Sequence, residues 1–168
     1  IGVLQILGIL KNRLDLSKKY EPFFSHHAFL EASRLSYLDR DFYIADPSYF
    51  DVPIKALLDK NYLKKRANLI KKTSSPDYKE GVINEYRESN LISGQSQENK
   101  STTHISIVDS MGNAVSLTSS IEFAFGSGIT VGGFFMNNQL TDFSFLSRNN
   151  EGLKVANSIS PGKKPRSS

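Results

Sequence analysis

TTHISIVDSMGNAVSLTSSIEFAFGSGITVGGFFMNNQLTDF, residues Thr102–Phe143, carries the densest run of strand, turn and polar signals in this 168-residue chain. Thr103, Ile105 and Ile107 alternate with His104, Ser106 and Val108, the period-two pattern of a strand with two different faces. Asp109-Ser110-Met111-Gly112-Asn113 supplies a turn in which Gly112 can take positive φ at no steric cost. A second alternation sets Ala114, Ser116, Thr118 and Ser120 on one face and Val115, Leu117, Ser119 and Ile121 on the other. Two strands joined by a short turn make a hairpin. Beyond it, Gly126, Gly128, Gly132 and Gly133 punctuate a loop, and Phe134-Phe135-Met136 reads as a short buried strand leading to Asn137-Asn138. The glycines lack the following Lys and Ser/Thr of a phosphate loop.

Upstream of the hairpin, Thr73 to Lys100 is rich in Ser, Asn, Gln, Glu and Lys and poor in apolar residues. Such a tract buries too little surface to offset the entropy of ordering, so it is expected to be a mobile or loosely draped linker. Three helices are predicted before it. The first covers Ile1 to about Asn12, with Leu4, Leu7, Leu10 and Leu14 at helical spacing. The second runs from Ser25, read as its N-cap, to Phe42, with Ala28, Ala32, Leu35, Leu38 and Phe42 on one stripe. The third starts at Pro53 and carries Ile54, Leu57, Leu58 and Tyr62 on one face up to about Ile70. His26 and His27 have no acidic or histidine partner at metal-ligand spacing, and Asp39-Arg40-Asp41 reads as local structural ion pairing. Asn149 to Pro161 reads as a polar loop.

Composition narrows the classes. There is no cysteine, which excludes disulfides and thiolate metal sites. The apolar run Ile1 to Leu10 is half of the roughly 20 residues that a bilayer core requires, so no membrane span is expected in this stretch. The net charge of +4 raises nucleic-acid binding, but Lys18-Lys19, Lys64-Lys65-Arg66, Lys71-Lys72 and Lys163-Lys164 do not interleave with aromatic residues as a stacking platform does. Solvated helix faces account for them. A basic, non-enzymatic binding module is the alternative from a different class, and salt-sensitive nucleic-acid binding would discriminate it.

Thr102-Thr103-His104, Asp109, Gly112-Asn113-Ala114-Val115, Phe125-Gly126-Ser127-Gly128-Ile129, Asn137-Asn138-Gln139, Asp142-Phe143-Ser144, Lys164-Pro165 and Ser167-Ser168 together resemble the γ-glutamyltranspeptidase family. Glu31-Ala32, Tyr37-Leu38-Asp39-Arg40, Asp46-Pro47 and Val52-Pro53 are similar to the segment that precedes the processing site in that family. The resemblance implies an α+β fold, the four-layer αββα sandwich of N-terminal-nucleophile hydrolases, of which this chain supplies part. Residues 1–101 would be the end of a large-subunit-like helical region, with the linker at 73–100. Residues 102–168 would begin a small-subunit-like catalytic β region. The chain opens in an apolar run without an initiator Met and stops at Ser167-Ser168 within a motif that continues in the family, so it reads as an internal fragment.

The resemblance also implies a chemistry. A threonine hydroxyl is a poor nucleophile until a base takes its proton. Cleavage between Ser101 and Thr102 would give Thr102 a free α-amine, whose ordinary pKa of about 7.7–8.0 makes it a usable base on the same residue as the hydroxyl. Thr102 is therefore the expected nucleophile. Ser120, where the family usually has Thr, is the expected catalytic hydroxyl that orients it, and it lacks the methyl that stiffens χ1. Glu122, Gln139 and Asp142 match the family's set for the substrate α-ammonium, with Asn standing in many members where Glu122 stands here. Ser167 and Ser168 match its carboxylate-binding serines. The segment between Ile129 and Asn137 is shorter than in well-known members, which alters the pocket wall. The oxyanion-hole glycines would follow Ser168 and the carboxylate-binding Arg would precede Ile1. The implied activity is γ-glutamyl transfer and hydrolysis on glutathione or other γ-glutamyl compounds, with water, an amino acid or a peptide as acceptor and no metal or organic cofactor. Periplasmic or extracellular location and assembly with the flanking parts of the same precursor are implied as well. A related amidase or acylase using the same nucleophile is the near alternative.

Overall fold

The computed structural model describes residues 1–15, 17–83, 91–92, 102–148 and 152–166. They fall into two compact units, one formed by Ile1–Gln95 with Ser144–Arg166 and the other by Ser96–Phe143 with Ser167–Ser168.

In the first unit, helices α1 (Gly2–Arg13), α2 (Pro22–Tyr43) and α4 (Lys60–Ala67) pack on a core of Ile9, Ala32, Leu35, Leu63, Ala67 and Ile70, while α3 (Ile54–Leu57) adds Leu57 to a second cluster with Tyr43, Tyr62 and Ile83. The stripe predicted on α1 is rotated: Gln5 and Ile9 are buried, while Leu4 and Leu7 are exposed. The reason is polar. Gln5 Nε2 donates to Asp39 Oδ2 at 2.7 Å and turns that side of the helix inward. Helix α2 starts earlier than expected, because Pro22 occupies the first turn after Glu21 and Ser25 lies inside it. The third predicted helix is two. Asp59 accepts from the amides of Asn61 and Tyr62 at 2.9 and 3.0 Å, so it caps α4 instead of sitting inside a longer helix.

Asp39 is the centre of the unit. Fully buried on α2, it takes Arg66 at 2.8 Å, the Tyr62 hydroxyl at 2.8 Å and the Gly81 amide at 2.7 Å, besides Gln5. Burial pushes its carboxyl up from the ordinary aspartate range, against the pull of Arg66 and the three hydrogen bonds. The tie to Gly81 corrects the expectation for the beginning of the linker. Arg66 Nη1 donates to Lys79 O and the Tyr43 hydroxyl to Gly81 O, while Ser74 Oγ and the Ser75 amide donate to Glu31. A Cβ at Gly81 would collide with the Tyr62 ring, so the close approach needs glycine. Polar composition misled here because buried polar side chains on the helices receive this backbone. Apart from Leu91–Ile92, the tract 84–100 lies outside the described residues.

Leu91–Ile92 (β1) pairs in parallel with Lys154–Val155 (β6). The stretch expected to be a polar loop is in part interior: Val155, Ala156 and Asn157 are buried, and Asn157 O receives the Ser144 amide at 2.9 Å. Asp41 joins Arg166 at 2.7 Å and Arg40 at 3.4 Å, so Arg40–Asp41 is the only neighbouring pair of the Asp39-Arg40-Asp41 trio among the ion pairs of the described residues.

The second unit holds the hairpin of β2 (Thr102–Val108) and β3 (Ala114–Ser120), with Thr102 opposite Ser120 and Val108 opposite Ala114. Gly112 takes φ 84° in its turn. Asp109 Oδ1 accepts from the amides of Met111 and Asn113, both at 2.9 Å, and the Asn113 side chain reaches Oδ2 at 2.7 Å. The Asn113 side-chain bond, followed by the backbone bonds, holds the Asp109 carboxyl below the usual range. Thr130–Val131 (β4) and Phe134–Phe135 (β5) form a second small hairpin, and Gln139–Asp142 is a turn of 3-10 helix. Phe134 is 63% exposed, and Phe135 and Met136 39% each, so this strand is present but is not buried among the described residues. Each sheet of the described residues has two strands. The arrangement is mixed α/β, and the full αββα layering is not laid out within it.

Candidate active site

Side chains two residues apart on a strand share a face, so the face that begins at Thr102 continues through His104 and Ser106 and meets Ser120, Thr118 and Ser116 across the ladder. Directly opposed residues have Cβ atoms about 4.5–5.5 Å apart. The hydroxyls of Thr102 and Ser120, predicted from sequence as partners, are therefore carried as a cross-strand pair. Next to them His104 bridges the strands: Nδ1 meets Thr118 Oγ1 at 2.8 Å and Nε2 meets Ser106 Oγ at 2.9 Å. His104 is absent from the residues picked by sequence, although two-residue spacing from Thr102 was the signal that places it on this face.

From Ser120 the polar line continues into the ammonium set. Ser120 Oγ accepts from the Glu122 amide at 3.1 Å, and Gln139 Nε2 donates to Glu122 Oε2 at 3.2 Å. Glu122 is buried and has φ 74°, the one positive φ at a non-glycine among the described residues. Such backbone is costly for a long side chain and persists where surroundings impose it. Asn138 imposes it here, because its Oδ1 accepts the Phe123 amide at 3.0 Å and its amide donates to Ile121 O at 3.3 Å. Asn138 is thus a second residue passed over by sequence reading, in a motif that was noticed but given no role. Asp142 closes the 3-10 turn that begins at Gln139. The fold brings Thr102, Ser120, Glu122, Gln139 and Asp142 onto one strand end and the turn hooked to it. Ser167 and Ser168 lie outside the described residues.

No group of three or more His, Asp or Glu side chains suited to a metal ion occurs among the described residues. What the arrangement can do is present hydroxyls beside a buried carboxylate and a carboxamide.

A model of the family described as gamma-glutamyltranspeptidase matches residues 1–168. The chain belongs to the γ-glutamyltranspeptidase family. It is 36% identical over 184 aligned residues to a glutathione hydrolase proenzyme of Bacillus subtilis (strain 168), covering all of this chain and 29% of that protein. It is 31% identical over 145 residues to the acylase ACY 1 proenzyme of Pseudomonas sp. (strain SE83), covering 85% of this chain and 24% of that one. The fold is similar to that of a cephalosporin acylase from Bacillus halodurans, with a TM-score of 0.61 and 24% identity over 96% of this chain and 26% of the other. The chain thus spans less than a third of the length of these two relatives.

Proposed function

We propose that the protein containing this chain is a γ-glutamyl transferase and glutathione hydrolase that matures by cutting itself between Ser101 and Thr102. The observation that carries the reading is the register of the hairpin, which sets Ser120 opposite Thr102 at the strand end where Glu122, Gln139 and Asp142 gather. In the cut protein the Thr102 α-amine takes the Oγ proton as Oγ attacks the γ-glutamyl carbonyl carbon. The C–N bond then breaks, the departing amine carries off that proton, and an ester to Thr102 remains. Water or an acceptor amine attacks the ester, loses a proton to the α-amine and releases Thr102 Oγ, which takes the proton back. Ser120 orients Oγ. Glu122, Gln139 and Asp142 receive the substrate ammonium, Ser167 and Ser168 its carboxylate, and no metal or organic cofactor takes part. By the same kinship the protein would act in the periplasm or outside the cell.

Full-length protein should show a new N-terminus at Thr102 by intact mass and sequencing, and Thr102→Ala should abolish both the cut and turnover of a γ-glutamyl anilide. A different N-terminus, or turnover by Thr102→Ala, would overturn the reading. Asp142→Asn keeps size but removes charge, and a charged hydrogen bond to an ammonium is worth on the order of 1.5–3 kcal/mol. A roughly ten- to hundred-fold loss in kcat/KM with unchanged Tm and self-cleavage is expected. The likeness to an acylase favours one second reading, the same nucleophile acting on another acyl amide. Cleavage of such an amide with no cleavage of the γ-glutamyl anilide would select it.

A further inference from the structure

Within the first unit, residues 161–166 run back along the last turn of α2 and the chain that follows it. The Tyr49 hydroxyl donates to Pro161 O at 2.9 Å, the Lys164 amide to Asp46 Oδ2 at 2.8 Å, and Arg166 Nη2 meets Asp41 Oδ1 at 2.7 Å. The partners advance in opposite order, 161 to 49, 164 to 46 and 166 to 41, as in a strip laid antiparallel. Arg166 Nη1 adds a bond to the Asp41 carbonyl at 3.3 Å, and its side chain is 1% exposed. A few residues upstream, Lys154–Val155 bridges to Leu91–Ile92. Every one of these contacts joins a residue before Ser101 to a residue after Thr102.

While the 101–102 peptide bond is intact, the two sides are held at high effective concentration whatever the strip contributes. Once the bond is cut, such contacts carry the association. We infer that Asp41, Asp46 and Tyr49 form a clasp that retains the strip 161–166, and with it the downstream cleavage product, on the upstream product of the same precursor. The inference rests on the proposed cut. An Arg guanidinium suits the end of such a clasp, because its rigid fork binds both the carboxylate and the carbonyl of Asp41, which a Lys cannot do with one point charge.

The test uses the full-length protein produced as two polypeptides, one ending at Ser101 and one beginning at Thr102, co-expressed so that assembly does not depend on self-cleavage. Association is measured by analytical ultracentrifugation across protein concentrations. Arg166→Met and Asp41→Asn should each raise the dissociation constant by about ten- to a hundred-fold. The double variant should lose less than the sum of the two single losses, since both break the Arg166–Asp41 ion pair. If Arg166→Met pieces fail to co-purify, Arg166→Lys pieces should assemble with intermediate affinity. In the uncut Thr102→Ala chain, Arg166→Met should lower Tm with no dependence on protein concentration, as for any contact within one polypeptide. Wild-type affinity for both single variants, or full additivity in the double variant, overturns the proposal. Failure of the natural full-length chain to cut itself is read separately, by intact mass, and counts against the proposed maturation alone.

Discussion

Glu122 shows how a single residue ties backbone strain to the site. Its φ of 74° puts a long side chain in the left-handed region, while its carboxylate holds Gln139 and its amide holds Ser120. Asparagine is several-fold enriched at such backbone, so an Asn at position 122 would sit with less strain. Strain of this type costs of the order of 1–3 kcal/mol. Glu122→Gly in the full-length protein should therefore raise Tm while lowering kcat/KM for a γ-glutamyl substrate, and Glu122→Asn should raise Tm with a smaller kinetic change. A fall in Tm for both variants would mean that the carboxylate contributes more to folding than its backbone costs, and would count against the recognition role proposed for Glu122.

At the level of elements, the turn Asp46-Pro47-Ser48 makes the hold on residues 161–166 sensitive to acid. Hydrogen bonds from the Lys164 amide and then the Ser48 amide hold the Asp46 carboxyl below its ordinary range. A carboxyl lowered by folding adds stability above its unfolded pKa and loses that stability as pH falls through the folded value. The Tm advantage of the wild type over Asp46→Asn should be full at pH 6, shrink below about pH 4 and vanish in stronger acid; an advantage that stays undiminished throughout the acid range would assign the effect to hydrogen bonding alone. The same scale shows what was legible in the sequence. The β2–β3 hairpin and its Asp109 turn followed from period-two alternation and one glycine, whereas the partnership of Ser120 with Thr102 was only implied by the family resemblance and its register is seen in the ladder. The docking of 73–83 did not, because it depends on Asp39, Glu31, Tyr43 and Arg66, which are far away in sequence and polar, so no periodicity marks them as interior. The inward turn of Gln5 and the buried Asn157 escaped for the same reason, and the break before α4 escaped because Asp59 signals a cap only if a helix boundary is already suspected.

The molecule as a whole carries its site on the part least able to stand alone. On the β2–β3 hairpin, Ile105, Ile107, Val115 and Leu117 share one face and are 46%, 57%, 57% and 53% exposed. A two-stranded sheet with both faces open is marginal in water, and its outer edges offer unpaired backbone groups. The nucleophile proposed at Thr102 would have to be held to within a fraction of an ångström, which such a platform alone does not provide. The chain spans 29% of its Bacillus subtilis relative, and we propose that segments outside these 168 residues cover that face and pair those edges. Hydrogen exchange on the isolated 168 residues should find the amides of Ile105, Ile107 and Leu117 exchanging early, well before those of Leu35 and Leu63 in the helical core. In the full-length protein the same hairpin amides should exchange as slowly as the core. Equal protection in the short chain would show that the hairpin orders itself, and the precision of the Thr102–Ser120 pair would then be a property of these residues rather than of the segments that cover them.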